Sequence, residues 1–320
     1  MMTYSQATAL LEARKAAGMQ MGLERMTAAM ELLGRPQERL RVVHIAGTNG
    51  KGSTGAMIRS ILTSAGYRVG GYESPAVTGL RDIITIGGEG IREERFAALT
   101  QRLLALEPRF EELGRLTEFE FTTALAYLYF AEEKTDLCVV ECGLGGRDDA
   151  TNVIGPPLAA VLTPVALDHT ALLGDTIQEI TAVKCGICKP PCTVISSPGQ
   201  TAEALGVIME TAAARGLTVR IPNAAAAPIT EEEPGRLAFV YGGRRYILRL
   251  TGSFQRDNAL TALEVASCLE EKGFSIPDEA KEAGLAGVVM PCRQEILRRT
   301  PLLMLDGAHN PHGLAALAAT

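Results

Sequence analysis

The sequence contains no tryptophan, only 8 phenylalanine and 7 tyrosine residues, and no excess of basic side chains. Lysine and arginine number 31 against 37 aspartate and glutamate, which gives a formal net charge of −6. Proteins that bind nucleic acid usually present a basic surface and aromatic side chains on which bases stack. The composition therefore argues against nucleic acid as a partner.

Long apolar runs are also missing. The run over residues 158–167 is interrupted by Pro164, and the first residues lack the charged-then-apolar arrangement of a secretory signal. We therefore expect no membrane partner and a cytoplasmic protein. The 7 cysteines are an odd number, which favours free thiols over disulfides. Cys185, Cys188 and Cys192 lie close together, but no fourth ligand follows at zinc-site spacing, so buried thiols are the favoured interpretation.

The chain has 320 residues, 47% of them hydrophobic, which is enough for a full hydrophobic core. Two helical patterns over residues 2–34 precede several short apolar runs that are separated by longer helical patterns. The runs that we interpret as strands cover residues 40–46, 67–72, 136–141, 158–162 and 193–196. Continuous apolar strands that alternate with helices are typical of a parallel sheet covered on both faces. We therefore predict a doubly wound, mostly parallel α/β domain over residues 1–292.

Five further segments are assigned downstream. Residues 202–215 form a helical pattern, residues 223–228 an alanine-rich loop, and residues 238–250 a β-hairpin that turns at Gly242-Gly243. A strand over residues 301–306 is followed by the start of a helix. One strand and one helix are too little for a domain. We therefore expect residues 293–320 to be the incomplete start of a second α/β domain.

The segment GTNGKGS, residues 47–53, follows a predicted strand and opens a predicted helix. Successive backbone N–H groups and the helix dipole at such a turn can bind phosphate, and Lys51 would reach the β- and γ-phosphates of a nucleotide. The strict phosphate-loop pattern is not met, because Ile45 and Gly52 replace its first glycine and its hydroxyl residue. A glycine-rich turn with an incidental lysine is the less favoured alternative.

Three titratable residues follow other predicted elements. Glu141 ends an apolar strand, so its carboxylate should lie at the carboxyl edge of the sheet, where it could bind Mg²⁺ beside a phosphate loop. A helix cap or an ion pair is the alternative. His169 should lie at the same edge, although a lone histidine is usually structural. Lys184, taken alone, is typical of a solvated lysine at a helix end.

Six motifs together carry a family resemblance: HIAGTNGKGST, LTEFEFTTALAYLYF, VVECGLGGRDDATNV, LDHTALLGDTIQEITAVKCGICKP, LTGSFQRDNALTA and LDGAHNPHG. In order and spacing, from about Gly22 to the end of the sequence, the chain resembles the dihydrofolate synthase/folylpolyglutamate synthase family of the Mur ligase superfamily. The resemblance implies the central ATPase fold of that superfamily and an ATP-dependent amide ligase. In such enzymes ATP phosphorylates a carboxylate, and the amine of glutamate displaces phosphate from the acyl phosphate.

The resemblance also assigns residues. Lys51, Lys184, His169 and Arg293 would be catalytic. Nucleotide contacts would come from Thr48, Asn49, Gly50, Lys51, Gly52, Ser53, Asn258, Arg293 and Asp306. Magnesium would be held by Ser74, Glu141, His169 and Lys184, the last as a carbamylated lysine, because an ammonium would repel the metal. The pterin end of the substrate would lie near Gly22, Leu23, Arg25, Phe119, Asp148, Asp149 and Ala150. His309 and Asn310 would belong to an interdomain hinge, and the protein would be a monomer.

Several positions depart from the family pattern. Glu73 and Ala76 flank Ser74-Pro75 where the family usually has threonine and histidine, and Asp148, Phe254 and Cys292 replace a leucine, a histidine and a glycine. Substrate-side positions therefore vary more than the phosphate and metal positions. Two alternatives stay open: an amide ligase for a different carboxylate, and a truncated, catalytically silent protein that binds a nucleotide.

Overall fold

A computed structural model describes residues 2–18, 20–75 and 79–320 of the chain. The helices, in chain order, are α1 (Tyr4–Arg14), α2 (Glu24–Leu32), α3 (Lys51–Ser64), α4 (Glu93–Leu104), α5 (Glu118–Glu132), α6 (Thr170–Leu173), α7 (Ile177–Lys184), α8 (Ala202–Arg215), α9 (Ser253–Glu271), α10 (Asp278–Gly287) and α11 (Pro311–Ala318). The strands are β1 (Val42–Ala46), β2 (Val69–Tyr72), β3 (Ile84–Ile86), β4 (Glu89–Gly90), β5 (Leu137–Glu141), β6 (Ala159–Leu162), β7 (Thr193–Ser196), β8 (Val219–Arg220), β9 (Ile229–Glu233), β10 (Arg236–Tyr241), β11 (Arg244–Leu248), β12 (Glu295–Arg299) and β13 (Leu302–Leu305).

The main sheet has eight strands in the order β4-β3-β2-β5-β1-β6-β7-β8. Strands β2 through β8 in this order run parallel, and β3 and β4 add an antiparallel edge. The prediction of a mostly parallel sheet is confirmed. Strand β1 lies between β5 and β6, with Ile45 opposite both Glu141 and Val161. The segments that follow β1, β2, β5 and β6 therefore leave the sheet at one edge, where ligands of such folds bind.

Both faces of this sheet are covered, which explains the continuous apolar runs. All five residues of β1 are buried. Val43 and Ile45 pack into one hydrophobic cluster with residues of α3, α9 and α10. Val42 packs on the opposite face with residues of α1, α2, α4 and α5. The two faces of one strand thus serve two cores, as expected for a parallel strand.

The predicted hairpin is confirmed, and it belongs to a three-stranded antiparallel sheet, β11-β10-β9. Gly242 and Gly243 both have positive φ, 58° and 77°, as a tight hairpin turn requires. Strand β9, with the sequence ITEEE, was not predicted because three consecutive glutamates lack a strand-like apolar pattern. Glu231 nevertheless pairs with Arg236 of β10 and Arg245 of β11, at 2.5 and 2.6 Å.

The C-terminal residues form the hairpin β12-β13 and helix α11. This hairpin and helix contain large apolar side chains that are exposed, among them Leu297, Leu302 and Leu314. The predicted domain boundary after residue 292 stays a prediction. Among the described residues, no helix is both long and apolar enough to span a bilayer.

Candidate active site

A cavity of about 920 Å³ opens at the carboxyl edge of the parallel strands. Most residues assigned from the sequence line it. The lining residues among them are Gly22, Thr48, Asn49, Gly50, Lys51, Gly52, Ser53, Ser74, Phe119, Glu141, Asp148, Asp149, Ala150, His169, Lys184, Asn258, Arg293 and Asp306. Leu23 and Arg25 are not among the lining residues.

The phosphate loop is held in place by the neighbouring strand and by α9. The backbone N–H groups of Thr48 and Asn49 donate to the Pro164 carbonyl at 2.9 and 3.2 Å. Helix α3 begins directly after Gly50, whose φ is +83°. A Cβ at Gly50 would lie 2.6 Å from Asn258 Oδ1, so glycine is required both by conformation and by close approach. The arrangement leaves the first turn of α3 facing the cavity, as an anion site needs.

Lys51 and Glu141 form the charged centre of the cavity. Lys51 Nζ lies 3.8 Å from Glu141 Oε1 and donates to the Thr48 carbonyl at 3.3 Å. Burial raises the pKa of Glu141 to about 7; Lys51 opposes this shift, and the nearby Glu73 adds to it. The carboxylate therefore lacks full charge compensation from the protein. A bound cation would supply that compensation.

Lys184 is buried at the end of α7, with 4% of its surface exposed. The interpretation of this residue as a solvated lysine is therefore wrong. Its Nζ donates to the Gly47 carbonyl at 2.8 Å, at the start of the phosphate loop. Burial, and secondarily the charge of Lys51, lowers the pKa of Lys184 to about 8. A lowered pKa makes the neutral, nucleophilic amine available near physiological pH.

The other two assigned magnesium ligands follow β2 and β6. Ser74 lines the cavity, and His169 does so with a half-exposed side chain 3.8 Å from Asp168 Oδ1. Within the described ranges, no group of three His, Cys, Asp or Glu side chains could hold a metal ion. The residues fit Mg²⁺ through the hard oxygens of Ser74 and Glu141, with phosphate oxygens as further ligands. Lys184 fits only if carbamylation makes it an anion.

The three neighbouring cysteines lie in an apolar cluster. Cys185, Cys188 and Cys192 are buried free thiols that pack with Leu162 and Ile208 in an apolar cluster. The interpretation of these residues as buried thiols is confirmed for the described part of the chain.

The opposite end of the cavity has an aromatic wall. The Phe119 ring lies 5.9 Å from the Tyr72 ring, centroid to centroid. It also covers Gly143, where a Cβ would come within 2.5 Å of the ring. Asp149 faces this end, but its carboxylate is engaged by the N–H groups of Leu144 and Thr151, at 2.7 and 3.0 Å. Asp149 thus fixes the shape of the loop that lines the wall.

Arg25 supports this wall through α5, the helix that contains Phe119. Arg25 forms an ion pair with the buried Glu120 at 2.9 Å, and Glu120 with Thr117 forms the capping box of α5. Leu23 precedes the first turn of α2. Their predicted contact with substrate stays a prediction.

The C-terminal residues close the end of the cavity that lies beside the loop of residues 47–53. Asp306 accepts hydrogen bonds from the N–H groups of Gln294 and Ala308, at 2.9 and 2.7 Å. Arg293 lies against Gly307, where a Cβ would come within 2.5 Å of its guanidinium. The positive charge of Arg293 acts on Glu141 and lowers the pKa of its carboxyl group.

Sequence reasoning missed three contributors to this end of the cavity. Asp168 and His312 line the cavity. Asn310, predicted only as a hinge residue, donates to Asp168 Oδ2 at 3.2 Å and pairs with Asn49. The adjacency of Asp168 to His169 was the one available signal. Of the two unusual residues beside Ser74, Glu73 pairs with Arg59 at 2.6 Å, and Ala76 lies outside the described residues.

Comparison with known proteins agrees with this geometry. Residues 45–266 match the Mur ligase middle domain. The chain is 38% identical over 330 residues to the dihydrofolate synthase/folylpolyglutamate synthase of Bacillus subtilis (strain 168), covering 99% of this chain and 76% of that relative. The chain belongs to this family of Mur ligases.

Other members of the family agree with the assignment. A folylpolyglutamate synthase of Lacticaseibacillus casei is 35% identical, covering 92% of this chain and 70% of the relative. A solved FPGS complex with AMPPCP and folate superposes with a TM-score of 0.90 at 31% identity, covering 99% of this chain and 80% of that one. The family's fold thus extends over nearly the whole chain.

Proposed function

We propose that the protein is an ATP-dependent ligase that joins the amine of L-glutamate to a carboxylate of a folate or dihydropteroate. The observation that carries this proposal is one continuous cavity. It connects the phosphate loop, with Lys51 and Glu141, to the aromatic wall formed by Tyr72 and Phe119. The relatives are named for these activities, and the similar solved structure holds an ATP analogue and folate.

The proposed reaction has two steps. The acceptor carboxylate attacks the γ-phosphate of ATP, which releases ADP and forms an acyl phosphate. The glutamate amine then attacks the acyl carbon, and inorganic phosphate leaves from the tetrahedral intermediate as the amine loses a proton. Such a reaction depends mainly on positioning and on stabilising the negative charge that develops.

Residues of the chain both position the reactants and stabilise the negative charge. The first turn of α3 and Lys51 hold the ATP phosphates, and Arg293, within electrostatic reach of Glu141, adds positive charge at the transferring phosphoryl group. Asn258 and Asp306 hold the rest of the nucleotide end. The aromatic wall positions the acceptor, so that its carboxylate points along the cavity toward the phosphates.

Magnesium would be held by Ser74, Glu141, His169 and carbamylated Lys184. When bound, it would neutralise charge on the phosphate oxygens. The chain's own contribution is a buried carboxylate next to the phosphate loop and a lysine whose amine is deprotonated more easily than usual. The carbamate would reverse the sign of the charge at Lys184 and remove its repulsion toward a metal.

The test is ADP release by the purified chain with ATP, Mg²⁺ and L-glutamate, with dihydropteroate, tetrahydrofolate or no acceptor. Release that requires one of the two acceptors supports the proposal and identifies the step catalysed. Saturable ATP binding without release under any condition contradicts it and favours the silent nucleotide-binding alternative. We further propose that the enzyme is a cytoplasmic monomer; sedimentation of a dimer would contradict the second part.

A second candidate is a ligase for a different carboxylate. It is favoured by Glu73, which pairs with Arg59 beside Ser74 and adds a negative charge near Glu141. ADP release with another carboxylic acid, but with neither pterin compound, would support this alternative.

A further inference from the structure

The acceptor end of the cavity contains one carboxylate that differs from its neighbours. Most acidic side chains there are engaged by the protein itself. Glu120 pairs with Arg25 at 2.9 Å, Asp148 pairs with Arg147 at 2.9 Å, and Asp149 accepts two backbone hydrogen bonds. Each of these three carboxylates thus has a hydrogen-bond donor or a cationic partner within the protein.

Glu118 is the exception. It lines the cavity from the first turn of α5 and is half-buried. Within the described part of the chain, no hydrogen bond or ion pair reaches its carboxylate. Lys15 is near enough to act on it electrostatically, but the Lys15 ammonium pairs with Glu12 at 2.6 Å. Burial raises the pKa of Glu118, as expected where a carboxylate loses water without gaining a partner.

The surroundings of Glu118 suit a flat ring. Phe119 and Tyr72 form the adjacent wall, and the negative charge of Glu118 reaches the Tyr72 hydroxyl. That hydroxyl is occupied by Thr122 and Thr123, at 2.9 and 3.0 Å. Tyr72 therefore contributes its ring to the cavity lining, and the neighbouring Glu118 carboxylate can accept hydrogen bonds from a ligand.

We propose that Glu118 determines specificity by accepting hydrogen bonds from the ring N–H and the exocyclic amino group of the acceptor's pterin ring. Two adjacent N–H donors on a planar ring match the two oxygens of a carboxylate, and such charge-assisted bidentate pairs are strong. The pterin ring would stack on Phe119, and the Glu118 carboxylate would accept hydrogen bonds from the N–H groups at the edge of the ring. This inference rests on the proposed function, and it adds a recognition residue that the family resemblance did not assign.

The test is calorimetric binding of dihydropteroate, and of an analogue in which methyl replaces the ring's amino group, in the presence of AMPPCP. Glu118→Gln should weaken dihydropteroate binding about tenfold to hundredfold and reduce the preference for dihydropteroate over the analogue, because the amide keeps only one acceptor oxygen and turns an N–H donor toward the second ring donor. Glu94→Gln is the matched control, since Glu94 is an exposed glutamate in the first turn of α4. Unchanged AMPPCP affinity shows that each variant is folded.

The outcomes separate the two proposals. If the unsubstituted chain binds dihydropteroate and Glu118→Gln keeps both the affinity and the preference for the amino group, the role of Glu118 is overturned while the proposed function stands. If the unsubstituted chain binds AMPPCP but neither dihydropteroate nor tetrahydrofolate, the proposed function fails and this inference fails with it.

Discussion

Asn49 in the phosphate loop and Asn310 before α11 form a reciprocal amide pair. The Asn310 amide donates to Asn49 Oδ1 at 3.1 Å, and the Asn49 amide donates to Asn310 Oδ1 at 3.3 Å. Asn310 also caps α11 by accepting from the Gly313 N–H at 2.8 Å. One side chain therefore links the loop of residues 47–53 to the C-terminal helix.

We predict that Asn310→Ala destabilises α11 and also weakens nucleotide binding by the loop of residues 47–53. Loss of the cap should destabilise α11 by about 1 kcal/mol, and loss of the pair should weaken AMPPCP binding. Hydrogen exchange of residues 311–318 and calorimetry measure the two effects. The control is Asn223→Ala, which removes a cap from the exposed turn at Ala224–Ala226, far from the cavity lining. Unchanged exchange of α11 would argue against the link.

Lys51→Ala should reduce acceptor-dependent ADP release at least about a hundredfold, because it removes the positive charge nearest the phosphates. Lys272→Ala, at the exposed end of α9, serves as the charge-matched control. Steady-state rates of both variants check the expectation. Full activity of the Lys51 variant would remove the phosphate-loop assignment.

The Glu141 carboxyl group should titrate near pH 7 in the protein without nucleotide. Burial is the main cause of this raised pKa, and Glu73 contributes a like charge. The group is thus protonated below about pH 7 and ionised above it, so magnesium affinity should fall as the pH drops through that value. Infrared difference spectra against Glu141→Gln report the carboxyl band directly.

Glu73→Gln provides an internal check on that titration. Removing the neighbouring negative charge should shift the Glu141 midpoint to lower pH, because ionisation is then opposed less. A midpoint that stays in place or rises would show that Glu73 does not act on Glu141.

Carbamylation of Lys184 should increase as the pH rises through about 8 in bicarbonate, since CO₂ adds to the neutral amine and burial lowers the pKa of Lys184 to about 8. Mass spectrometry of the intact protein under non-acidic conditions should show the mass of one CO₂, lost in Lys184→Ala. That variant should also lose activity that bicarbonate does not restore.

Lys189 is the control within the same protein. Burial lowers the pKa of Lys189 as well, but its ammonium donates to the carbonyls of Asn152 and Ile154 at 2.6 and 2.7 Å, and a carbamate, which has a single N–H, could not keep both hydrogen bonds. CO₂ retained on Lys189 instead of Lys184, or an unmodified Lys184 in a fully active magnesium complex, would contradict the assignment.

The sequence predicted the five adjacent strands β2, β5, β1, β6 and β7 of the main sheet because they are buried and mostly apolar; the short edge strands β3, β4 and β8 were not predicted. The run around Val43 and Ile45, for example, packs on both faces, and a strand buried on both sides needs no alternation. Strand β9 was missed for the opposite reason. Its Glu231 pairs with arginines of β10 and β11, side chains that only the folded structure brings together.

Some positions of the candidate site could be predicted from the sequence, and others could not. Glu141 and the phosphate loop follow recognisable strands, so their position at one sheet edge could be derived. The burial of Lys184 could not, because α7 presents a lysine at its end and only packing shows that this end faces the cavity. Glu118 lies within the motif LTEFEFTTALAYLYF, but the sequence does not show that its carboxylate has no hydrogen-bond or ion-pair partner among the described residues. That follows only from the folded structure.

The central claim is ligation through an acyl phosphate, and an isotope-transfer experiment tests it most directly. The acceptor carboxylate is labelled with heavy oxygen and incubated with the protein, ATP, Mg²⁺ and L-glutamate. We predict that one labelled oxygen appears in inorganic phosphate for each glutamyl amide formed. Amide formation with unlabelled phosphate, or ADP release without any glutamyl product, would contradict the account.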